Sequence, residues 1–263
     1  MRTRSAVFVC TLLLASAAAG QNRKIVVTGL GPENMGPEVI GEFQSAAPGL
    51  TVVEARSQQD ALREIVDADA IFGTINPALL HAAKHLQWVQ IYSAGVENYM
   101  FPEFINSNIT LTNCKIIQGP EISDHAMALL LSLTRRIDEA MPYQVREEWS
   151  RGKIHPIELM NKTALIIGLG GIGTQIAQRA HAFGMRVLAV DPKDIPITNV
   201  VERIVKPDQL HEVLPEADVV FMSAPLTQQT RGMMGAAEFG MMKKNSYFVA
   251  VSRGRTYDSN ALV

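Results

Sequence analysis

The sequence predicts an α/β protein of two parallel-sheet domains, and three observations carry that prediction. Short apolar runs alternate with stretches of helical period from residue 24 to residue 251, as strands and helices laid down in turn would. A chain of 263 residues has room for two modest domains. Residues 162–191, KTALIIGLGGIGTQIAQRAHAFGMRVLAVD, place strand, glycine turn, helix, strand and acidic residue in one unbroken order.

Composition narrows the field before any motif is considered. The formal net charge is −2, and no basic block or basic helix face offers itself to nucleic acid. Cys10 and Cys114 are too few for a disulfide framework or a metal cluster, so no metal site is expected. Cys114 reads as a small buried apolar side chain. The first twenty residues differ in kind. Arg2 and Arg4 precede an apolar run at 6–14, and Ala17-Ala18-Ala19 supplies a small-residue cleavage pattern, which together predict a secretory leader at 1–20. Its apolar segment falls short of the ~20 residues a bilayer span requires, so no membrane span is expected. With a leader the protein is exported, periplasmic or secreted; with a start near Gln21 it is cytoplasmic.

Taken in order, residues 24–30 (KIVVTGL) predict a first buried strand. Gly29 and Gly31 follow it, but position 34 is Asn and Pro32 intervenes, so no nucleotide fingerprint forms there. Helix is predicted at 39–47, strand at 50–55, helix at 58–66 and a short strand at 70–72. Pro77 suits the first turn of a helix over 77–85, and residues 86–92 return to strand. The stretch Ser93-Ala94-Gly95-Val96-Glu97 then lies at the carboxyl edge of a parallel sheet. Its backbone N–H groups could hold a carboxylate, or it could be an ordinary strand-to-helix connection. A further strand ends at Leu111-Thr112-Asn113. After Gly119-Pro120, residues 121–137 predict a long helix with Ile122, Ala126, Leu129, Leu130 and Leu133 on its apolar face and His125 among its core-facing residues. The domain junction is placed near Gln118, giving domains over 21–118 and 119–263.

Within 162–191 the physics assigns a task to each residue. Gly168 permits the tight turn out of the strand, Gly170 lets the backbone approach a pyrophosphate, and Gly173 lets the helix pack close to the sheet. The N-terminal N–H groups and dipole of the helix that follows favour phosphate. Asp191 lies ~20 residues beyond the glycines, where a carboxylate accepts hydrogen bonds from ribose hydroxyls and repels a 2′-phosphate. NAD is therefore expected rather than NADP, with Lys193 as the opposing cue. Strands at 204–205, 219–223 and 247–251 and helices at 208–214 and 236–242 continue the pattern. The last strand delivers Ser252-Arg253-Gly254-Arg255. Arg253 could pair bidentately with a substrate carboxylate and polarise a carbonyl, or could pair with some surface acid.

The order of SAGVE, LTN, DHAMALLLSLTRR, GLGGIG, Asp191, ADVVFMSAPLTQQTRG and FVAVSRG resembles the D-isomer-specific 2-hydroxyacid dehydrogenases, most nearly their glyoxylate and hydroxypyruvate reductases, over nearly all of 24–263. The resemblance implies a flavodoxin-like substrate domain and a Rossmann NAD-binding domain flanking an active-site cleft, a homodimer, and hydride transfer between NAD(H) and a small 2-oxo or 2-hydroxy acid. It implies that Arg253 is catalytic and orients the substrate, that Ala94, Gly95 and Val96 hold it through backbone amides, and that Gly168, Gly170, Gly171, Ile172, Gly173 and Asp191 bind the pyrophosphate and ribose. Ala224, Val251, Ser252 and Arg253 match positions on the nicotinamide side. The family's proton-donating histidine and its glutamate lie C-terminal to the arginine, at positions that would fall beyond Val263. None of His81, His85, His125, His155, His181 and His211 matches that histidine. The second domain is thus expected to be incomplete at its C-terminal end. The chain is then a truncated enzyme, or else an NAD-binding or interaction protein without catalysis.

Overall fold

The computed structural model describes residues 23–28, 37–47 and 49–263; the leader expected at 1–20, and Gly29 and Gly31, lie outside the described residues. The chain divides into two compact units, Met1–Cys114 and Lys115–Val263, a few residues ahead of the junction placed near Gln118.

The first unit is a five-stranded parallel sheet in the order β2-β1-β3-β4-β5, with β1 at Arg23–Val27, β2 at Leu50–Glu54, β3 at Ala70–Phe72, β4 at Trp88–Gln90 and β5 at Thr110–Thr112. This is the flavodoxin-like order, in which the chain runs first to one side of β1 and then to the other. Strand periodicity sorts its side chains: Val26, Ile71 and Val89 enter one core, Ile25, Val27, Val52 and Ala70 the other. Helices α1 (Pro37–Ala46), α2 (Gln58–Glu64), α3 (Pro77–Ala82) and α4 (Pro102–Ile105) connect the strands. Ser57 caps α2 through the Asp60 N–H and Asn76 caps α3 through the Leu79 N–H. Helix α3 stops short of its expected end at 85, because the Lys84 N–H turns to the Val66 carbonyl at 3.2 Å and leads Leu86 into the core.

The second unit holds β6 (Thr163–Ile167), β7 (Arg186–Val190), β8 (Arg203–Val205), β9 (Val219–Met222) and β10 (Tyr247–Ala250), all parallel in the order β10-β9-β6-β7-β8. Helices α5 (Gly119–Thr134), α6 (Ile137–Val145), α7 (Gly171–Ala182), α8 (Leu210–Val213), α9 (Ala236–Met241) and α10 (Ser259–Leu262) complete it. Both faces of the sheet are covered, α5 and α7 packing on one and α8 and α9 on the other. Its strands accordingly read as continuous apolar runs.

Helix α5 departs from its expected form in two ways. It ends at Thr134, and Arg136 takes a left-handed conformation at φ 56° before α6 begins. The face it buries is Ser123, Ala126, Met127, Leu130 and Thr134, whereas Leu129 and Leu133 stay about 40% exposed. Two hydroxyls can face the core because each donates to the carbonyl one turn back, Ser123 to Gly119 and Thr134 to Leu130. His125 is likewise exposed rather than core-facing.

At the amino edge of this sheet, Asp218 joins three strands. Its carboxylate accepts from the Thr163 N–H at 2.8 Å and from Lys243 Nζ at 2.9 Å, while its own carbonyl receives the Tyr247 N–H. Burial alone would raise this carboxyl, but the Thr163 and Lys243 donors outweigh it and hold the group below its ordinary value. A carboxyl depressed on folding stabilises the fold above its unfolded pKa, and that share is lost as pH falls through the folded value. The melting temperature of the wild type should therefore fall more steeply than that of Asp218→Asn between about pH 5 and pH 2. Parallel acid limbs in calorimetry would remove Asp218 from this role.

Candidate functional site

The carboxyl end of β6 is shaped by backbone approaching backbone. Gly168 has φ +92°, and a Cβ there would stand 2.7 Å from the Cα and N of Ala224. A Cβ on Gly173 would stand 1.9 Å from the Gly168 carbonyl oxygen and 2.9 Å from Ser223 Oγ. These two positions admit only glycine. Gly170 differs: nothing lies within 4 Å of a Cβ built there, and the residue is exposed. It is the N-cap of α7 and offers no side-chain cap to the first-turn N–H groups, and a side chain at 170 would enter open space. Gly171 opens the helix, where a Cβ would stand 3.1 Å from Ile116, and Ile172 packs against the core under α7. An uncapped helix N-terminus behind an open glycine fits a pyrophosphate.

Asp191 follows β7 and is 7% exposed. Its Oδ2 accepts from the Leu169 N–H at 2.8 Å and its Oδ1 from the Lys193 N–H at 2.9 Å. A carboxylate has about four acceptor directions, so the two that remain can serve a pair of ribose hydroxyls. Lys193, the cue for NADP, enters through its backbone while its side chain is exposed.

On the other side of β6, Ala224 is buried at the end of β9, and Ser223 Oγ donates to the Gly168 carbonyl at 2.7 Å. Beyond β10, Val251 and Ser252 are half-buried and Arg253 is exposed. The backbone of Arg253 is pinned by the wholly buried Thr256, whose N–H and hydroxyl both donate to the Arg253 carbonyl, at 2.9 and 2.7 Å. Glu121, Ile122 and His125 of α5 line a recess of about 370 Å3 with Ala250, Val251 and Ser252. The parallel order thus sets Arg253, Ala224, the glycine turn and Asp191 along one carboxyl edge. The crevice between β6 and β9, where strand order reverses, falls in their midst.

In the first unit the expected carboxylate loop follows β4, also at a carboxyl edge. Ala94, Gly95 and Val96 are half-buried. Asn113 Nδ2 donates to the Ala94 carbonyl at 2.7 Å, Ser93 Oγ to the Gly95 carbonyl at 2.6 Å and the Tyr99 N–H to the Val96 carbonyl at 2.9 Å. Beneath it, Tyr92 packs edge-on against Phe72 and donates to the Phe72 carbonyl. Burial raises the Tyr92 phenol and the Cys114 thiol alike. Cys114 is half-buried rather than the buried apolar side chain expected, and its thiol donates to the Ile91 carbonyl while accepting from Gln90 Nε2. Sequence reasoning did not single out Ser223, Thr256 or Asn113 as site residues. The available signal was a polar side chain at or just past a strand's carboxyl end.

Residues 127–263 match the family model of the D-isomer specific 2-hydroxyacid dehydrogenase, NAD binding domain. The chain belongs to the D-isomer-specific 2-hydroxyacid dehydrogenase family. It is 30% identical to the glyoxylate reductase of Thermococcus litoralis, over 91% of this chain and 75% of that protein. With the D-3-phosphoglycerate dehydrogenase of Methanocaldococcus jannaschii it shares 32% identity over 86% of its own length, but it spans only 42% of that relative. A crystal structure of a family protein from Aeromonas salmonicida superposes with a TM-score of 0.79 at 28% identity, covering 92% of this chain and 76% of the other. The family's NAD-binding domain here takes in each nucleotide-side residue from Gly168 to Arg253.

The glycines separate fold from binding. Gly173→Ala forces a methyl into the Gly168 carbonyl and should cost about 3 kcal/mol or more. Gly170→Ala meets open space, should stay within about 1 kcal/mol of the wild type, and should still weaken NAD binding roughly tenfold by filling the phosphate approach. Thermal melts and NADH fluorescence titrations read the two effects separately; normal NADH affinity in Gly170→Ala would contradict the assignment.

Proposed function

We propose that this chain serves hydride transfer between NAD(H) and a small 2-oxo or 2-hydroxy acid, as a glyoxylate- or hydroxypyruvate-reductase-like member of its family. The observation that carries the reading is Asp191, tied to the glycine turn beside α7 with acceptor capacity to spare. A 2′-phosphate would meet its charge, which supports NAD over NADP. The relatives' names support the substrate class.

When bound, NADH would supply the hydride for a carbonyl carbon, whose oxygen would take up a proton. Gly170, Gly171, Ile172 and Gly173 would hold the pyrophosphate at the α7 N-terminus. Ala224, Val251 and Ser252 would line the nicotinamide side. The Arg253 guanidinium would bind the substrate carboxylate and offset charge developing on the carbonyl oxygen. Within the first unit, the loop of Ala94, Gly95 and Val96 would offer its backbone amides to a carboxylate. The second reading is an NAD-binding or interaction protein without turnover.

The test is NADH oxidation with glyoxylate, hydroxypyruvate and pyruvate by the protein isolated from its native source. Turnover that falls ~100-fold or more in Arg253→Gln supports the enzyme. NADH binding with no turnover on any of the three acids supports the second reading.

We also infer that the protein is a homodimer paired through α5 and α6. Leu129 and Leu133 of α5, Ile137, Met141 and Val145 of α6, and Trp149 just beyond it are each between 39% and 85% exposed. A two-fold contact would cover these apolar side chains with those of a second copy. Leu133→Glu combined with Val145→Glu should convert the dimer to monomer in sedimentation velocity. A wild type that sediments as a monomer at micromolar concentration would overturn the inference.

A further inference from the structure

Three consecutive carbonyls in the loop after β4 are held from inside the first unit: Ala94 by Asn113 Nδ2, Gly95 by Ser93 Oγ and Val96 by the Tyr99 N–H. No peptide bond among the described residues is cis. A trans peptide is planar, with its C=O and the next N–H pointing in opposite directions. Holding the Ala94 oxygen therefore aims the Gly95 N–H away from Asn113. Holding the Gly95 oxygen aims the Val96 N–H away from Ser93. The directions of two of the loop's amides are set by two neutral side chains that need touch no ligand.

The placement of Asn113 is itself determined. Strands β4 and β5 pair in parallel with Gln90 opposite Thr112. The ladder continues past both strands through Ile91 N–H to the Thr112 carbonyl and Cys114 N–H to the Ser93 carbonyl. A polar chain fixes that register: the Trp88 indole donates to Thr112 Oγ1 at 2.7 Å, and Thr112 Oγ1 to Gln90 Oε1 at 2.6 Å. Gln90 Nε2 in turn donates to the Ile91 carbonyl at 2.8 Å. A slip of one residue would turn Asn113 to the opposite face.

We propose that Asn113 and Ser93 are positioning residues, which orient the Gly95 and Val96 N–H groups to receive the carboxylate of a 2-oxo acid. The proposal rests on the reading of this loop as the carboxylate holder. It assigns to Asn113 an orienting role rather than contact with the acid. It also explains why a short amide side chain suits position 113: an aspartate would set oxygen against the Ala94 oxygen.

The test uses the full chain, labelled with 15N and titrated with oxamate, a stable 2-oxo acid analogue. In the wild type the Gly95 and Val96 amide resonances should shift saturably. Asn113→Leu removes the donor without adding charge, and Ser93→Ala removes the hydroxyl. Each should raise the oxamate Kd roughly five- to tenfold, as the loss of one hydrogen bond would. Ser93→Thr, which keeps the hydroxyl, should restore the affinity to within about twofold, a recovery that fold stability alone does not predict. Unchanged oxamate affinity and unchanged Gly95 and Val96 shifts in Ser93→Ala would overturn the proposal while leaving the carboxylate reading intact. A wild type whose Gly95 and Val96 amides ignore oxamate would overturn the carboxylate reading, and the proposal with it.

Discussion

The nucleotide edge of this protein depends on one carbonyl oxygen, that of Gly168. The first turn of α7 passes so close to it that a side chain at Gly173 would overlap it. Ser223 donates to it from the end of β9. Gly168 itself lies against Ala224 with no room for a methyl. Strand β6, helix α7 and strand β9 are thereby held at backbone contact distance. Asp191 draws in β7 through the Leu169 N–H. With these four elements fixed, the position of the α7 N-terminus relative to the end of β7 is no longer adjustable. A rigid ligand that needs phosphate and ribose contacts at a set separation requires such a constraint.

Most of that arrangement was legible in the residues. Apolar runs mark every strand but β5, whose TLT carries a single apolar residue, and the glycine spacing with Asp191 marks the nucleotide edge. What escaped shares a physical cause. Ser223, Thr256 and Asn113 act on backbone carbonyls, and a backbone acceptor leaves no trace in the sequence of its partner. Ser123 and Thr134 turn inward on α5 because the carbonyl one turn back satisfies each hydroxyl, whereas a hydropathy pattern counts them as outward. Leu129 and Leu133 match a core pattern yet stay exposed for the complementary reason: their character shows in the sequence, but the direction of burial does not. The helix expected at 208–214 resolves into 3-10 turns around the short α8, as prolines at 207 and 215 would favour.

The two sheets solve a common problem with the same chemistry. A loop that binds an anion must turn N–H groups outward, and its carbonyls then point back into the protein, where each needs a donor. In the first unit Asn113, Ser93 and the Tyr99 N–H supply those donors. In the second, Ser223 holds the Gly168 carbonyl and Thr256 holds that of Arg253. Hydroxyls and amides suit the task because they donate without bringing a charge that would compete with the ligand for the same loop.

Asp191 shows how far such economy of parts can go. Its carboxylate is the acceptor for a buried N–H in the glycine turn as well as the group proposed to face the ribose. Exchanging it to welcome a phosphorylated dinucleotide would strand the Leu169 donor, at a cost of about 1–3 kcal/mol. Drift in cofactor preference is thereby coupled to drift in foldedness. On the proposed NAD reading, a change of dinucleotide would have to rebuild the turn as well as the ribose contact.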